Sequence, residues 1–177
     1  MAQIAPMIHG VNHIALTVAD MKRTLEFYTG LLGMRLVGLF PMHGVPGAVH
    51  AFLDMGDGRL LSFIRFAAPA ERIEDVTSPR NPAHPSAIGS MHHIALNVPD
   101  ERTLEATKLR VEATGLSVAG PIDHGFCKSI YFHGPDREQL EVSTFTRPLD
   151  DRELDPGTIG HLGISAAELA RMRRGDA

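Results

Sequence analysis

The sequence lacks most of the features that would place a chain outside the ordinary globular class. It holds one cysteine, Cys127, so an intramolecular disulfide framework is excluded and a reducing compartment fits. Basic residues are few: 17 Lys and Arg against 21 Asp and Glu leave a net charge of −4 with His neutral. Their scatter does not make the basic stripe that nucleic acid requires. The one basic cluster, Arg171, Arg173 and Arg174, falls at the C-terminal end of a predicted short helix, where cations favour the helix dipole. No apolar run approaches the length of a membrane span. The first ten residues, MAQIAPMIHG, lack the charged start and long apolar stretch of a signal peptide. Together these absences predict a cytoplasmic protein with neither nucleic-acid nor membrane partners. At 177 residues and 44% hydrophobic content, there is enough chain for one domain, or for two half-domains sharing a core.

What the sequence does contain is a long repeat. Val11–Val18 reads VNHIALTV and Met91–Val98 reads MHHIALNV, which sets His13 opposite His93 at an offset of 93 − 13 = 80 residues. Each phrase is followed by an acidic residue (Asp20, Asp100), a helical stretch, a glycine (Gly33, Gly115) and an apolar run. A turn led by Asp57-Gly58 or Pro135-Asp136 then follows. An echo of that length means two copies of one supersecondary unit.

Each unit reads as β-α-β-β-β. Val11–Val18 alternates His13, Ala15 and Thr17 with Ile14, Leu16 and Val18, which is a strand with a small, polar front and an apolar back. Asp20 caps a helix with Met21, Leu25, Tyr28 and Leu32 along one face, and Gly33 ends it. Strands are predicted at Met34–Phe40, Val49–Asp54 and Arg59–Phe66, with a hairpin at Asp57-Gly58. The second unit places a strand at Met91–Val98 and a helix from about Asp100 to Ala113. Its further strands fall near Ser117–Ile122, Gly125–His133 and Gln139–Phe145. The predicted organisation is an arm at 1–10, a module at 11–66, a linker at 67–90, a module at 91–146 and a tail at 147–177. The linker has Pro69, Pro79, Pro82 and Pro85 and no apolar period, and the tail carries a short helix at Ser165–Arg174.

The polar fronts carry the chemistry. On the last strand Glu141, Ser143 and Phe145 share a side, and on the strand before it Ser129, Tyr131 and His133 do. If these fronts line one concave sheet, His13, His93 and Glu141 converge. Two imidazoles and one carboxylate with open positions suit non-haem Fe(II), and the same donors suit Zn and Mn. The bland reading, two strand histidines hydrogen-bonded to neighbours, has to account for the same position being His in both halves.

The repeated HIAL strand, the helix with Phe27-Tyr28 and Leu32-Gly33, and the ending YFHGPDREQLEV resemble the vicinal oxygen chelate superfamily. That group includes glyoxalase I, the extradiol ring-cleaving dioxygenases, fosfomycin and bleomycin resistance proteins, and methylmalonyl-CoA epimerase. The resemblance spans about Val11 to Phe145. It implies an α+β fold of two tandem βαβββ modules forming a cupped mixed sheet around a metal site. It also implies ligands from the first and last strands of each module: His13, Ser62, His93 and Glu141. Serine is a poor ligand, so the chain is similar to the three-ligand members, the extradiol dioxygenases and the fosfomycin resistance enzymes.

Tyr131, ten residues before Glu141, matches a tyrosine that hydrogen-bonds substrate in extradiol dioxygenases. Their acid/base histidine has no direct counterpart, since Ser78 or Pro79 stands there. His84 is the nearest candidate, and His50 or His124 can substitute. The resemblance thus implies one divalent ion, Fe(II) before Mn(II) or Zn(II), on His13, His93 and Glu141. It implies Tyr131 as a catalytic residue and a small substrate with vicinal oxygens. From their expected placement alone, His124 or His50 is predicted to shuttle a proton, as a catalytic residue, and exposed strand edges with a tail that needs somewhere to pack predict a homodimer. Two other readings stay open within the group: a lyase, isomerase or thiol transferase, and a metal-free drug-sequestering protein. His92 is expected to point to the face opposite His93 in a structural or supporting role, and Cys127 to be a small buried apolar group.

Overall fold

The structure, a computed structural model, describes residues 10–175. The predicted arm therefore lies outside the described residues except for Gly10. Contacts divide the chain into two units, Asn12–Thr146 and a second made of the terminal segments.

The larger unit contains both modules. Module one runs β1 (His13–Thr17), α1 (Met21–Glu26), β2 (Arg35–Pro41), β3 (Val49–Asp54) and β4 (Leu60–Arg65). Module two runs β5 (Ile94–Asn97), α2 (Glu101–Glu112), β6 (Ala119–Asp123), β7 (Cys127–His133) and β8 (Gln139–Phe145). Hydrogen bonding makes two four-stranded mixed sheets of the same order, β1-β4-β3-β2 and β5-β8-β7-β6. In each the first strand pairs parallel to the last, so that Ala15 faces Ser62 and Ala95 faces Glu141. The repeat is therefore a repeat of register, and Ser62 and Glu141 occupy the same place.

Local chemistry explains the helices. The Asp20 and Asp100 carboxylates accept from the amides of Arg23 and Thr103, capping α1 and α2. The first helix departs from the regular spacing read in the sequence. After Glu26 it widens into a π-turn over Phe27–Leu31, where the Thr29 hydroxyl donates to the Leu25 carbonyl. Gly33, at φ +75°, takes the left-handed conformation that ends it.

The backs of both sheets feed one apolar core. Leu61 and Phe63 of β4, Ile94 of β5, Ile130 and Phe132 of β7, and Leu140 and Val142 of β8 belong to it, with Tyr28, Leu104 and Val111 from the helical segments. Polar bonds reinforce this joint. The Tyr28 hydroxyl donates to Glu138 Oε1 (2.7 Å), Arg23 pairs with Asp136 (2.8 Å), and Arg110 donates to the Gly30 carbonyl (2.7 Å). Because side chains alternate along a strand, the fronts face away from this shared core. His13, Ala15 and Thr17 are exposed, and so are His93, Ala95 and Asn97.

The region 67–90 carries no helix or strand, only an isolated bridge between Glu74 and Ser78. In the terminal unit a 3₁₀ turn (Asp151–Glu153) precedes α3 (Pro156–His161) and α4 (Ala166–Arg174). Ser165 and Glu168 form a capping box at the start of α4. The sequence pattern predicts α4 but not α3, whose six residues carry too short a period to register. Among the described residues no helix is long and apolar enough to cross a membrane.

Candidate active site

The front of module two assembles two of the three residues of the predicted triad. His93 Nε2 lies 3.1 Å from Glu141 Oε2. The other carboxylate oxygen, Oε1, accepts from the hydroxyl of Ser129, which is fully buried. On the far side of the ring, His93 Nδ1 meets His92 Nδ1 at 2.8 Å, while His92 Nε2 reaches the His84 carbonyl at 3.0 Å. A carbonyl only accepts, so Nε2 of His92 carries its proton. Its Nδ1, bare in the neutral ring, then accepts from His93 Nδ1–H. That leaves the His93 Nε2 lone pair facing a carboxylate, and two acceptors at this distance need a proton or a cation between them. The donor set therefore fits a divalent ion.

Module one presents the matching front without a carboxylate ligand. Asn12 Oδ1 accepts from His13 Nδ1 (2.8 Å), and His50 Nε2 lies 2.8 Å from the Ser62 hydroxyl. Burial, and then the charge of His13, lower the His50 pKa. Phe40 and Phe52 stack in front of these rings at 5.9 Å. Among the described residues, no group of three His, Cys, Asp or Glu stands close enough to hold a metal ion. A single chain thus brings together His93 and Glu141 but not His13.

Beside the His93–Glu141 pair lies a cavity of about 310 Å³ lined by His124, Phe126, Tyr131, Glu141 and Phe145, among others. His124 Nε2 is 3.0 Å from the Tyr131 hydroxyl. Burial, and then the Glu141 charge, push the Tyr131 pKa up to about 12. The phenol therefore keeps its proton at neutral pH and acts as a donor.

Comparison with known proteins shows the family of the chain. The profile of the Glyoxalase/Bleomycin resistance protein/Dioxygenase superfamily matches residues 10–142. The chain belongs to this superfamily. Among its curated relatives is MhqA of Bacillus subtilis, named as a ring-cleaving dioxygenase. MhqA is 28% identical over 135 residues, which cover 76% of this chain and 39% of MhqA. The chain thus spans about two fifths of that relative's length. Lactoylglutathione lyase of Pseudomonas aeruginosa is 26% identical over 156 residues, covering 74% of this chain and 80% of the lyase. Among solved structures, a point variant of the fosfomycin resistance protein FosX from Listeria monocytogenes holds Mn(II) and a dihydroxypropylphosphonic acid. It aligns with a TM-score of 0.57 at 19% identity, covering 84% of this chain and all of that one. At that identity the likeness shows the fold alone.

Two supporting residues, Ser129 and Asn12, are not legible as such in the sequence, and a third, His92, is expected there to support from the opposite face. Ser129 shares a face with Tyr131, but a serine carries no ligand signal. Asn12 and His92 each directly precede a histidine, and neighbours on a regular strand point to opposite faces. His92 was expected to face away from His93 for that reason. The correction is that β1 begins at His13 and β5 only at Ile94, so each pair sits at or before a strand start. There the two side chains can meet. The available signal was the repeat itself, because 92 − 12 is again 80. Cys127 is buried, 3.8 Å from the Ser129 hydroxyl, and lines the cavity as a small group.

Proposed function

We propose that this protein is a metal-dependent ring-cleaving dioxygenase acting on a neutral catechol-like substrate. In this reading one divalent ion, Fe(II) before Mn(II) or Zn(II), is held by His93 and Glu141 of one copy and His13 of a second copy in a homodimer. The exposed fronts support the second copy, since the shared core turns both of them outward. The observation that carries the reading is the cavity: it adjoins Glu141, has Phe126, Tyr131 and Phe145 as walls, and has no Lys or Arg among its described lining residues. A phosphonate or a glutathione conjugate brings fixed negative charge that such walls do not balance, whereas a flat neutral ring fits them.

When bound, the ion supplies a Lewis acid for adjacent substrate oxygens and, as Fe(II), electrons for dioxygen. The chain's own residues handle the proton. A substrate hydroxyl seated against Tyr131 can pass its proton to the phenol oxygen as the phenol passes its own to His124 Nε2. The result is a substrate monoanion and an imidazolium, with no phenolate formed, consistent with a phenol pKa of about 12. His50, bonded to Ser62, would stand on the front contributed by the second copy and offers another acceptor there.

The test loads the protein anaerobically with Fe(II), adds a panel of catechols, admits air, and follows oxygen uptake with the yellow ring-opened product. Uptake matched to product supports the reading. No uptake across the panel, with turnover instead on Mn(II) and a hemithioacetal, epoxide or acyl-CoA, overturns it. That outcome would favour a lyase or isomerase, the reading that the match to lactoylglutathione lyase supports.

A further inference from the structure

We infer that Asn12 and His92 are positioning residues that fix which nitrogen of His13 and His93 is offered to the metal. The inference rests on the metal reading above and adds two residues to it. Both modules place a hydrogen-bond acceptor against the Nδ1 of the front histidine at the same distance: Asn12 Oδ1 to His13 at 2.8 Å, and His92 Nδ1 to His93 at 2.8 Å. The two acceptors occupy equivalent places in the repeat and differ in chemistry. An amide oxygen can only accept. An imidazole nitrogen accepts only if the other nitrogen carries the proton, and the His84 carbonyl, 3.0 Å from His92 Nε2, ensures that. The second module thus needs two groups in series, a carbonyl and an imidazole, for what the first achieves with one amide. Each chain of bonds ends in Nδ1–H on the front histidine, and so in a bare Nε2. In module two that nitrogen faces Glu141 Oε2 at 3.1 Å. Because the series begins at a backbone carbonyl in the 67–90 segment, the linker conformation sets the tautomer of His93.

The repeat itself suggests the diagnostic variants. His92→Asn puts into module two the amide acceptor that module one already uses, whereas His92→Phe keeps an aromatic ring and removes the acceptor. Asn12→Asp and Asn12→Leu make the matching pair in module one. Two readouts on the full chain are needed: Co(II) affinity from the visible d–d absorption, and ¹⁵N NMR of the imidazoles in Zn(II)-saturated protein, in which an ion takes the place of a proton between His93 Nε2 and Glu141 Oε2. His92→Phe and Asn12→Leu should each weaken Co(II) binding by about 10- to 100-fold, the usual cost of losing such a partner. The affected ring should lose the Nδ1–H, metal-bound Nε2 pattern that the parent shows. His92→Asn should bind within about threefold of the parent and keep Nδ1–H, and Asn12→Asp should do the same.

The inference fails if His92→Phe leaves both affinity and tautomer unchanged while His93→Ala abolishes Co(II) binding. If His93→Ala leaves Co(II) binding unchanged, the metal reading itself fails. The inference, which rests on that reading, then falls with it.

Discussion

The joint between the modules decides which faces are left for function, and Tyr28→Phe tests it. The substitution removes one hydroxyl from a fully buried ring and leaves the ring contacts to Phe27 (5.1 Å) and Phe63 (4.6 Å) in place. What is lost is the 2.7 Å bond to Glu138 Oε1, after which backbone amides, that of Asp136 on Oε2 and that of Glu138 itself, still hold the carboxylate. Burial raises the Glu138 pKa, and the Tyr28 hydroxyl is the largest influence pulling it down. A folded pKa above the unfolded one means that the acid form is favoured by folding. This group's contribution is therefore fully present below the unfolded pKa of about 4.3 and is lost as pH rises through the folded pKa.

Removing the hydroxyl raises the folded pKa further, so the loss at neutral pH deepens. A bond to a charged acceptor is worth roughly 1.5–3 kcal/mol, and one to a neutral carboxyl roughly 0.5–1.5. Tyr28→Phe should thus cost about 2 kcal/mol near pH ~7.5 and about 1 kcal/mol near pH ~4.5, on the acid side of the raised Glu138 pKa. The chain has no Trp, so urea unfolding is followed by far-UV circular dichroism. The neutral-pH midpoint should fall by about 1 M for a slope near ~2 kcal/mol/M. A cost that is the same at both pH values, or below about 0.5 kcal/mol at the higher one, would refute the argument.

Three further outcomes are expected. Gly134→Ala drives a Cβ into steric overlap with the Glu138 carboxylate, so either the Tyr28–Glu138 bond or the β7–β8 turn must give way; melting should show a loss of about 1–3 kcal/mol. Ser129→Ala removes the hydroxyl that holds Glu141 Oε1, and Co(II) titration should show about tenfold weaker binding with the far-UV spectrum unchanged. His13→Ala and Glu141→Gln chains should each bind metal poorly alone, yet after subunit exchange at equal concentration about a quarter of the sites should recover, because each mixed dimer rebuilds one. No recovery, with sedimentation showing a mixed dimer, would place His13 outside the metal site.

The sequence by itself determined the two βαβββ modules, their shared register and the residues on each front. Those features follow from periods of about two and 3.6 residues, from caps such as Asp20 and Asp100, and from a repeat that needs no knowledge of distant contacts. It reached His93 beside Glu141 because the first and last strands of a module pair directly, Ala95 against Glu141. It also brought His124 and Tyr131 into view, though not their 3.0 Å contact.

Only the tertiary structure decided how the modules dock. Alternation tells which face of a strand is apolar, not which other apolar face it meets. Here Leu61 and Phe63 share one core with Leu140 and Val142, so the fronts turn away from it and His13 stays apart from its expected partners. The Asn12 and His92 contacts were hidden for a related reason. Strand geometry forbids neighbours from touching, and nothing in the spacing says that the ladder of module two begins only at Ile94, one residue beyond the pair.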